Sequence, residues 1–278
     1  MPAIRRLPDN RRLPDKVTYP SARSLVVHPA LVVALTLTAT PAVAQSKLDV
    51  SFGYWLPHAD IVVAADGAGV TGTAIDLRQD AGLTDSAFPD LAASFRAAAR
   101  HRIRFEFLPI SYDSSATLAR DIVFNGVAYP RGAAVTSRFN WTTARFGYEY
   151  DFLVTPRWTA GLVVEARQTV IEERLADRAD DQSRRSQVPV PAAGGAVTIR
   201  ASAHVSMTGE IVGIKVPNSA DRHYGGHYAD AMLVGTFDLG PHVGAQAGYR
   251  LIDIAHLGES DSATMRLRGF YVGAIVRR

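Results

Sequence analysis

The sequence predicts an all-β fold, an antiparallel up-and-down transmembrane β-barrel of about ten strands, with eight and twelve strands as alternatives. Three observations support this prediction. The chain begins with the pattern of an export signal, the remainder alternates apolar and polar residues, and short turns alternate with long polar connections. Together they indicate a chain that leaves the cytoplasm and crosses a membrane with strands.

The N-terminal segment has the order of a secretory signal peptide. Arginines are concentrated in residues 1–23, the densest apolar run is Leu31–Leu37, and Ala42-Val43-Ala44 is a small-x-small cleavage site. We predict that residues 1–44 form a signal peptide with an extended basic n-region. The mature chain is then expected to start at Gln45.

Residues 45–278 are predicted to form one outer-membrane β-barrel domain.

A signal anchor or a single transmembrane helix is the alternative interpretation of the N-terminus. His28, Pro29 and Pro41 interrupt the apolar run, which falls short of the roughly 20 residues that span a bilayer. The cleaved signal is therefore the preferred interpretation.

The charge balance argues against nucleic-acid binding. The formal net charge is +3, from 30 basic and 27 acidic residues. Positions 1–44 hold six basic and two acidic residues, which leaves 24 and 25 in the rest of the chain. A protein that neutralises phosphates needs a basic surplus. The absence of cysteine also excludes disulfides, thiolate metal sites and cysteine nucleophiles.

Period-two alternation is clearest over residues 140–152. One face of this segment is apolar and aromatic and the other is charged, as expected when successive side chains point to opposite faces of a strand. The strand after the Thr155-Pro156 turn repeats the pattern. We predict an aromatic girdle at the membrane interface on either side of this turn, formed by Phe146, Tyr148, Tyr150, Phe152 and Trp158.

The same pattern predicts ten strands with both ends on the periplasmic side. Their predicted ranges are 47–57, 88–98, 101–113, 135–153, 156–172, 195–206, 208–216, 228–239, 242–256 and 263–277. Tight turns are predicted near Arg100-His101, Thr155-Pro156, Ser206-Met207 and Gly240-Pro241. The long outer connections are predicted at about 58–87, 114–134, 174–195, 217–227 and 257–262. Residues 70–80 could add extra sheet to the first of these connections.

The polar faces of the strands predict a lumen that contains charges of both signs. The predicted lumen network consists of Arg102, Arg104, Glu106, Arg145, Glu149, Asp151, Glu165, Arg167, Arg200 and Arg250. Buried charges must pair to be tolerated, and side chains fill the interior of barrels of about eight strands. We therefore expect a lumen filled with ion pairs rather than a general diffusion porin, with a narrow selective pathway still open.

A soluble β-sandwich is the alternative fold, because its strands also alternate. Its charged faces would contact water and its apolar faces would form a core. Such a protein would fractionate with the periplasm. The export signal, the aromatic residues next to short turns and the unequal loop lengths favour the membrane barrel.

Histidines in a predicted outer loop offer weak candidates for chemistry. His223 and His227 are four residues apart and could bind a metal on a helix, but Gly225 and Gly226 argue against a helix there. Aspartates of the 174–195 loop could orient one of these histidines in a hydrolase at the barrel rim. The aspartates in question are Asp180 and Asp181.

Two further candidates are equally unspecific. His204 and Ser206 would share one face of a strand, as a serine hydrolase requires. Arginines of the predicted 174–195 loop could contact anionic lipopolysaccharide, although a solvated charged loop is the simpler interpretation. These arginines are Arg174, Arg178, Arg184 and Arg185.

Several short motifs distinguish the chain beyond its alternation. They are Gly72-Thr73-Ala74-Ile75-Asp76-Leu77, Ala81-Gly82-Leu83-Thr84-Asp85, Arg100-His101-Arg102-Ile103-Arg104, Arg120-Asp121-Ile122-Val123-Phe124-Asn125-Gly126 and Gly248-Tyr249-Arg250. With them, most of residues 47–278 resembles a loosely defined group of bacterial outer-membrane β-barrel proteins, many of uncharacterised function. The resemblance implies a barrel in the outer membrane and no catalytic residues. Such proteins typically end in an aromatic residue that the assembly machinery reads, whereas this chain ends in Arg277-Arg278.

These observations predict a non-enzymatic outer-membrane barrel for envelope structure, surface interaction or narrow selective transport. A rim-site hydrolase that acts on lipid or peptide is the rival hypothesis. The expected partners are outer-membrane lipid, lipopolysaccharide and the barrel-assembly machinery, with no nucleic acid. No cofactor, metal or catalytic residue is predicted, and the chain is expected to be a monomer.

Overall fold

The computed structural model describes residues 46–217, 225–257 and 261–278, so the predicted signal peptide and Gln45 lie outside the described residues. The described residues form thirteen strands and no helix. The strands are β1 Leu48–Ala65, β2 Ile75–Asp76, β3 Phe88–Ala98, β4 His101–Thr117, β5 Ile122–Phe124, β6 Val127–Tyr129, β7 Ala134–Val154, β8 Trp158–Ala176, β9 Asp181–Arg200, β10 Val205–Val216, β11 Gly225–Asp238, β12 Val243–Leu257 and β13 Asp261–Arg277. In this part of the chain no helix is long and apolar enough to cross a membrane.

Ten of the described strands form a closed antiparallel barrel. Each long strand pairs with its neighbour along the chain, and β13 returns to pair with β1. The ends of the chain complete this seam, because Leu48 and Arg278 each donate a backbone N–H to the carbonyl of the other, at 2.9 and 2.8 Å. The predicted fold class and the number of ten strands are confirmed.

Tight turns lie at the same end of the barrel as both ends of the described chain, which we call the lower end. They connect the long strands at 99–100, 155–157, 201–204 and 239–242. The predicted turn at Ser206-Met207 is wrong by several residues. Ser202 fixes the observed turn, because its hydroxyl accepts the backbone N–H groups of His204 and Val205 at 3.2 and 3.1 Å.

The predicted outer loop 174–195 is also wrong, because most of it is strand. β8 and β9 pair from Trp158↔Ile199 to Ala176↔Asp181, and residues 177–180 alone connect them. β1 likewise continues to Ala65, well past its predicted end at residue 57. In both places the strand continues but its outward side chains become polar. The prediction relied on an apolar outer face, so it did not recognise these segments as strand.

The outer surface has two zones. In the lower half, the outward side chains are large and apolar, and we call this zone the apolar belt. On β7 the belt reaches from Ala144 to Phe152 and on β8 from Trp158 to Ala166, close to the about 9–11 residues with which a tilted strand crosses a bilayer. Above it the outward positions carry polar residues such as Arg138.

The interior has three levels. A cavity of about 500 Å³, the lower cavity, opens at the lower end. Above it, charged side chains meet across the lumen. The upper half is an apolar core that contains the fully buried Trp141, Leu108, Ile110, Ile252 and Leu267. Apolar side chains thus face outward in the lower half of the barrel and inward in the upper half.

Two connections fold over the upper end and form what we call the cap, residues 66–87 and 118–133. β5 and β6 form a hairpin within it, whose turn residues Asn125 and Gly126 both have positive φ, 50° and 82°. This is the Asn-Gly combination that a two-residue type I′ turn requires. The cap buries apolar side chains against the upper core, including Ile75, Leu83, Ile122, Phe124 and Tyr129.

Candidate functional site

The charged interior is the most elaborate polar arrangement in the described part of the chain. The structure places Arg102, Arg104, Glu106, Arg145, Glu149, Asp151, Glu165, Arg167, Arg200 and Arg250 inside the barrel. They come from inward positions of β4, β7, β8, β9 and β12. The residues predicted for the aromatic girdle lie outward in the apolar belt: Phe146, Tyr148, Tyr150, Phe152 and Trp158.

Arg250 connects opposite sides of the lumen. Its guanidinium donates to Asp90 Oδ2 at 2.9 Å, to Glu106 Oε1 at 2.5 Å and to Asp230 Oδ2 at 2.7 Å. Its carbon Cζ also lies 5.5 Å from the centre of the Trp55 ring. These partners belong to β3, β4, β11 and β1, so Arg250 spans the barrel from β12.

Arg167 and Arg145 extend this arrangement around the lumen. Arg167 donates to Asp230 and Glu165, both at 2.7 Å. Arg145 donates to Glu106 Oε2 at 2.9 Å, and its Nε lies 2.5 Å from Glu165 Oε2. We call these residues, with Asp90 and Arg250, the ion-pair layer. Its side chains cross the lumen between the lower cavity and the apolar core.

A second set of ion pairs lies below this layer. Glu210 contacts both Arg145 and Arg104 and so connects the two sets. Arg104 also donates to Glu149 at 3.1 Å. Asp151 accepts from Arg96 at 3.0 Å, with Arg102 at 3.9 Å. Arg200, also predicted for the lumen, lines the lower cavity and donates to Thr159 Oγ1 at 3.3 Å.

Several interior charges were not predicted from the sequence. They are Asp90, Arg96, Glu210, Asp230, Asp238 and Arg277. The signal for Asp230 was present, because it alternates with the outward Ala229, Ala231 and Leu233 on β11. Asp90 lies two positions before a stretch rich in alanine, where alternation gives little contrast between the faces.

The interior favours structure over acid–base chemistry. Each carboxylate of the ion-pair layer contacts at least one arginine. A general base must instead be free to accept a substrate proton, and the arginines hold these carboxylates, including Asp90 and Glu106 where they line the lower cavity. Glu106 and Asp230, for example, each contact two arginines.

The candidate rim hydrolase is not assembled from the described residues. His227 faces outward and its Nε2 lies 3.0 Å from Asp253 Oδ1, while Arg266 donates to Oδ2 of the same carboxylate. Asp181 instead accepts from Arg174 at 2.7 Å. His223 lies outside the described residues. In the described ranges, no three histidine, aspartate or glutamate side chains form a group that could hold a metal ion.

The pair His204 and Ser206 does not lie on one face of a strand, which corrects that candidate. His204 belongs to the exposed 201–204 turn, whereas Ser206 lies on β10 and pairs with Arg200. The turn forms at this position because Ala201 N donates to Val205 O at 2.9 Å. The two side chains therefore lack the common support that a nucleophile and its base need.

An ion pair joins the two halves of the cap and predicts its pH response. Arg120 donates to both carboxylate oxygens of Asp80, at 3.0 and 2.6 Å, and these hydrogen bonds hold the pKa of Asp80 below its usual 3.8. A lowered folded-state pKa means that the pair stabilises the cap above the unfolded-state value. This stabilisation is lost as the pH falls through the lowered value.

We therefore expect the cap to loosen in acid. A spin label at Arg131→Cys, the only thiol in such a variant, should gain mobility as the pH falls below 3.8. In an Asp80→Asn background the label should be mobile at neutral pH as well. An unchanged pH profile in that background would show that Asp80 does not control the cap.

Comparisons with known proteins bear on the fold. No protein-family model and no curated protein matches the chain. Among solved structures, outer membrane protease OmpT from Escherichia coli superposes with a TM-score of 0.54 at 9% identity, over 87% of this chain and 99% of that chain. Ail of Yersinia pestis matches with a TM-score of 0.35 at 10% identity, over 83% of this chain and 99% of Ail. OprG of Pseudomonas aeruginosa matches with a TM-score of 0.35 at 9% identity, over 84% of this chain and 96% of OprG.

At such low identity the likeness to OmpT concerns the architecture alone. It covers nearly the whole of both barrels. This likeness agrees with the resemblance of the sequence to bacterial outer-membrane β-barrel proteins and with the ten paired strands of the barrel. The chain therefore has the fold of bacterial outer-membrane β-barrel proteins.

Proposed function

We propose that this chain is a non-enzymatic barrel of the bacterial outer membrane that is closed to diffusion and acts in envelope structure or surface interaction. One observation carries the proposal: the ion-pair layer crosses the lumen from Arg250 to Asp90 and Glu106. An apolar core and a cap lie above it. A solute would have to break several buried ion pairs to pass, and each broken pair would leave uncompensated charge.

The upper strands support a role at the cell surface. β4, β7, β8 and β9 continue beyond the apolar belt and present polar side chains outward. Ion pairs on this surface, such as Arg138 with Asp113 and Arg185 with Glu172, keep it water-compatible. In this proposal the partners are outer-membrane lipid, lipopolysaccharide and the barrel-assembly machinery, and the chain is exported by its signal peptide and acts as a monomer.

The rim-site hydrolase is less well supported. It requires an aspartate and a histidine that converge on a substrate. Asp181 and His227 instead have separate partners, Arg174 and Asp253. Narrow selective transport is disfavoured by the same ion-pair layer that carries the proposal.

Conductance in a planar lipid bilayer tests the proposal. The full chain is expected to insert without steady single-channel steps, because the ion-pair layer crosses the lumen beneath an apolar core. A general porin added to the same membrane is the positive control. Reproducible steps from the wild-type chain, at any voltage where the membrane itself is stable, would contradict the closed lumen and favour transport.

A further inference from the structure

A second cavity lies in the upper half of the barrel, apart from the ion-pair layer. Its volume is about 290 Å³, slightly below the roughly 300–1,000 Å³ of typical small-molecule sites. Its lining is mainly apolar and comes from β1 and from β7 to β13, with Trp141, Ile171, Val190, Ile214, Tyr228 and Ile254 among its members. We call it the upper cavity.

The barrel has a step beside this cavity. β9 pairs with β10 only from Ala193↔Gly213 down to Arg200↔Ser206. Above this point, residues 181–192 of β9 pair with β8, and no described strand pairs with their other edge. The upper half of β9 is therefore an edge strand next to the shorter β10.

The sequence of β9 is suited to an edge. Pro189 and Pro191 pair with Gln168 and Ala166 of β8. Since proline has no N–H, a proline in a regular ladder must direct its nitrogen away from the partner strand. Both nitrogens then point to the side of β10, where they remove two donors that a further strand would need. The step is thus encoded in the sequence.

The step begins at the upper limit of the apolar belt. Next to it, the outward side chains change from Val164 and Ala166 to Gln168 on β8, and from Ile211 to Lys215 on β10. This change marks the boundary between hydrocarbon and the polar interface. An amphiphile in the outer leaflet would therefore meet the step with its polar end at the interface.

One polar group in the lining lacks a partner. Trp141 is fully buried and lines the upper cavity. Its indole N–H has no acceptor among the described residues. A buried donor without an acceptor is costly, and a ligand that carries an oxygen atom could satisfy it.

We propose that the upper cavity binds an acyl chain with its carbonyl oxygen, which enters sideways through the step between β9 and β10. The apolar lining receives the chain, and the position of the step selects an amphiphile from the membrane interface. A free fatty acid and the acyl chain of a lipid share this chemistry. The inference does not depend on the lumen being closed to solutes.

Fluorescence quenching tests the site directly. The chain has three tryptophans, Trp55, Trp141 and Trp158. The double replacement Trp55→Phe and Trp158→Phe leaves Trp141 as the reporter of the upper cavity. In lipid nanodiscs, a dibrominated fatty acid should quench this variant saturably. A second arm uses phosphatidylcholine with a dibrominated acyl chain, and quenching in this arm would identify membrane lipid as a source. Quenching in neither arm would overturn the proposal.

Filling the cavity provides the matched comparison. Val190→Phe places a larger side chain in the cavity, and a cost of at least 1.4 kcal/mol weakens binding by about tenfold or more. Val197→Phe makes the same change on the outer face of the same strand and should leave quenching unchanged. Ile214→Phe is a second filling variant, and heat-modifiable gel mobility verifies that each variant folds. Equal quenching in the folded Val190→Phe and Val197→Phe variants would overturn the site.

A disulfide tests the route of entry. Because the chain has no cysteine, Ala192→Cys with Ile214→Cys creates a single possible bridge across the step. The oxidised variant should lose quenching and regain it on reduction. The control bridge joins Thr198→Cys to Thr208→Cys, which already pair below the step. Undiminished quenching with the step bridged would overturn entry between β9 and β10.

Discussion

Replacing Arg250 by methionine is expected to lower the free energy of unfolding by about 3–5 kcal/mol, the usual cost of removing one partner from a buried ion pair. Arg250 is 1% exposed and contacts Asp90, Glu106 and Asp230. Without it, these carboxylates remain buried with less compensating charge. Urea unfolding of the barrel in lipid vesicles, followed by tryptophan fluorescence, measures the loss.

Arg266→Met is the matched control. Arg266 also pairs with an aspartate, Asp253, but its side chain is 57% exposed, and such pairs contribute about 0–1 kcal/mol. Asp90→Asn adds a coupling test, because the Asp90 carboxylate accepts from Arg250 at 2.9 Å. The double variant should lose less than the sum of the single variants, by about 0.5–3 kcal/mol. Equal losses for Arg250→Met and Arg266→Met would contradict a structural role for the ion-pair layer.

Replacing Leu162 by arginine is expected to destabilise the barrel in a bilayer by about 2–4 kcal/mol, the cost of arginine near the bilayer midplane on the lipid face of an outer-membrane barrel. Leu162 lies outward in the middle of the apolar belt on β8 and is 59% exposed. The same unfolding measurement in vesicles detects this loss.

Gln168→Arg controls for the substitution itself. Gln168 is outward on the same strand but lies above the apolar belt, so its replacement should cost about 0–1 kcal/mol. The comparison also separates a membrane barrel from a soluble one. If water surrounded the belt, an arginine at the exposed position of Leu162 would be neutral, and equal effects at both positions would contradict membrane insertion.

The lower half of the barrel was predictable because lipid imposes one rule on its outer face. On β7, Phe146 and Tyr148 alternate with Gly147 and Glu149, and the alternation identifies both the strand and its lipid face. The number of strands follows, because each crossing of the belt repeats this pattern. The tight lower turns then set the direction of the strands.

The upper half was harder to predict because the apolar phase reverses within single strands. On β7, the apolar positions change from even numbers, such as Phe146, to odd numbers, such as Trp141 and Phe139, on passing Thr142 and Thr143. This reversal accompanies the change from a lipid-facing surface to a water-facing one around an apolar core. Taken as an interruption, it truncates strands at their upper ends. The prediction therefore ended β1 too early, at residue 57, and began β9 too late, at residue 195.

The charged residues of the lumen were likewise predictable only where the alternation along a strand is strong. The charges on strongly alternating strands, such as Arg145 and Arg167, were predicted as lumen residues. Their partner Asp230 also alternates with outward apolar residues on β11, but the weaker pattern of that strand was not used to predict it. Contacts across the lumen join strands that are far apart in sequence, as in Arg250 with Asp90, and no local pattern encodes such a pairing.

Heat-modifiable mobility of the protein extracted from fractionated envelopes tests whether the chain forms a closed barrel in the outer membrane. The chain should be recovered with outer membranes. Its unboiled form should then migrate differently in a detergent gel from its boiled form, because a closed barrel resists unfolding until it is heated. Recovery in the soluble periplasmic fraction, with the same mobility before and after boiling, would show that the chain is not a barrel of the outer membrane.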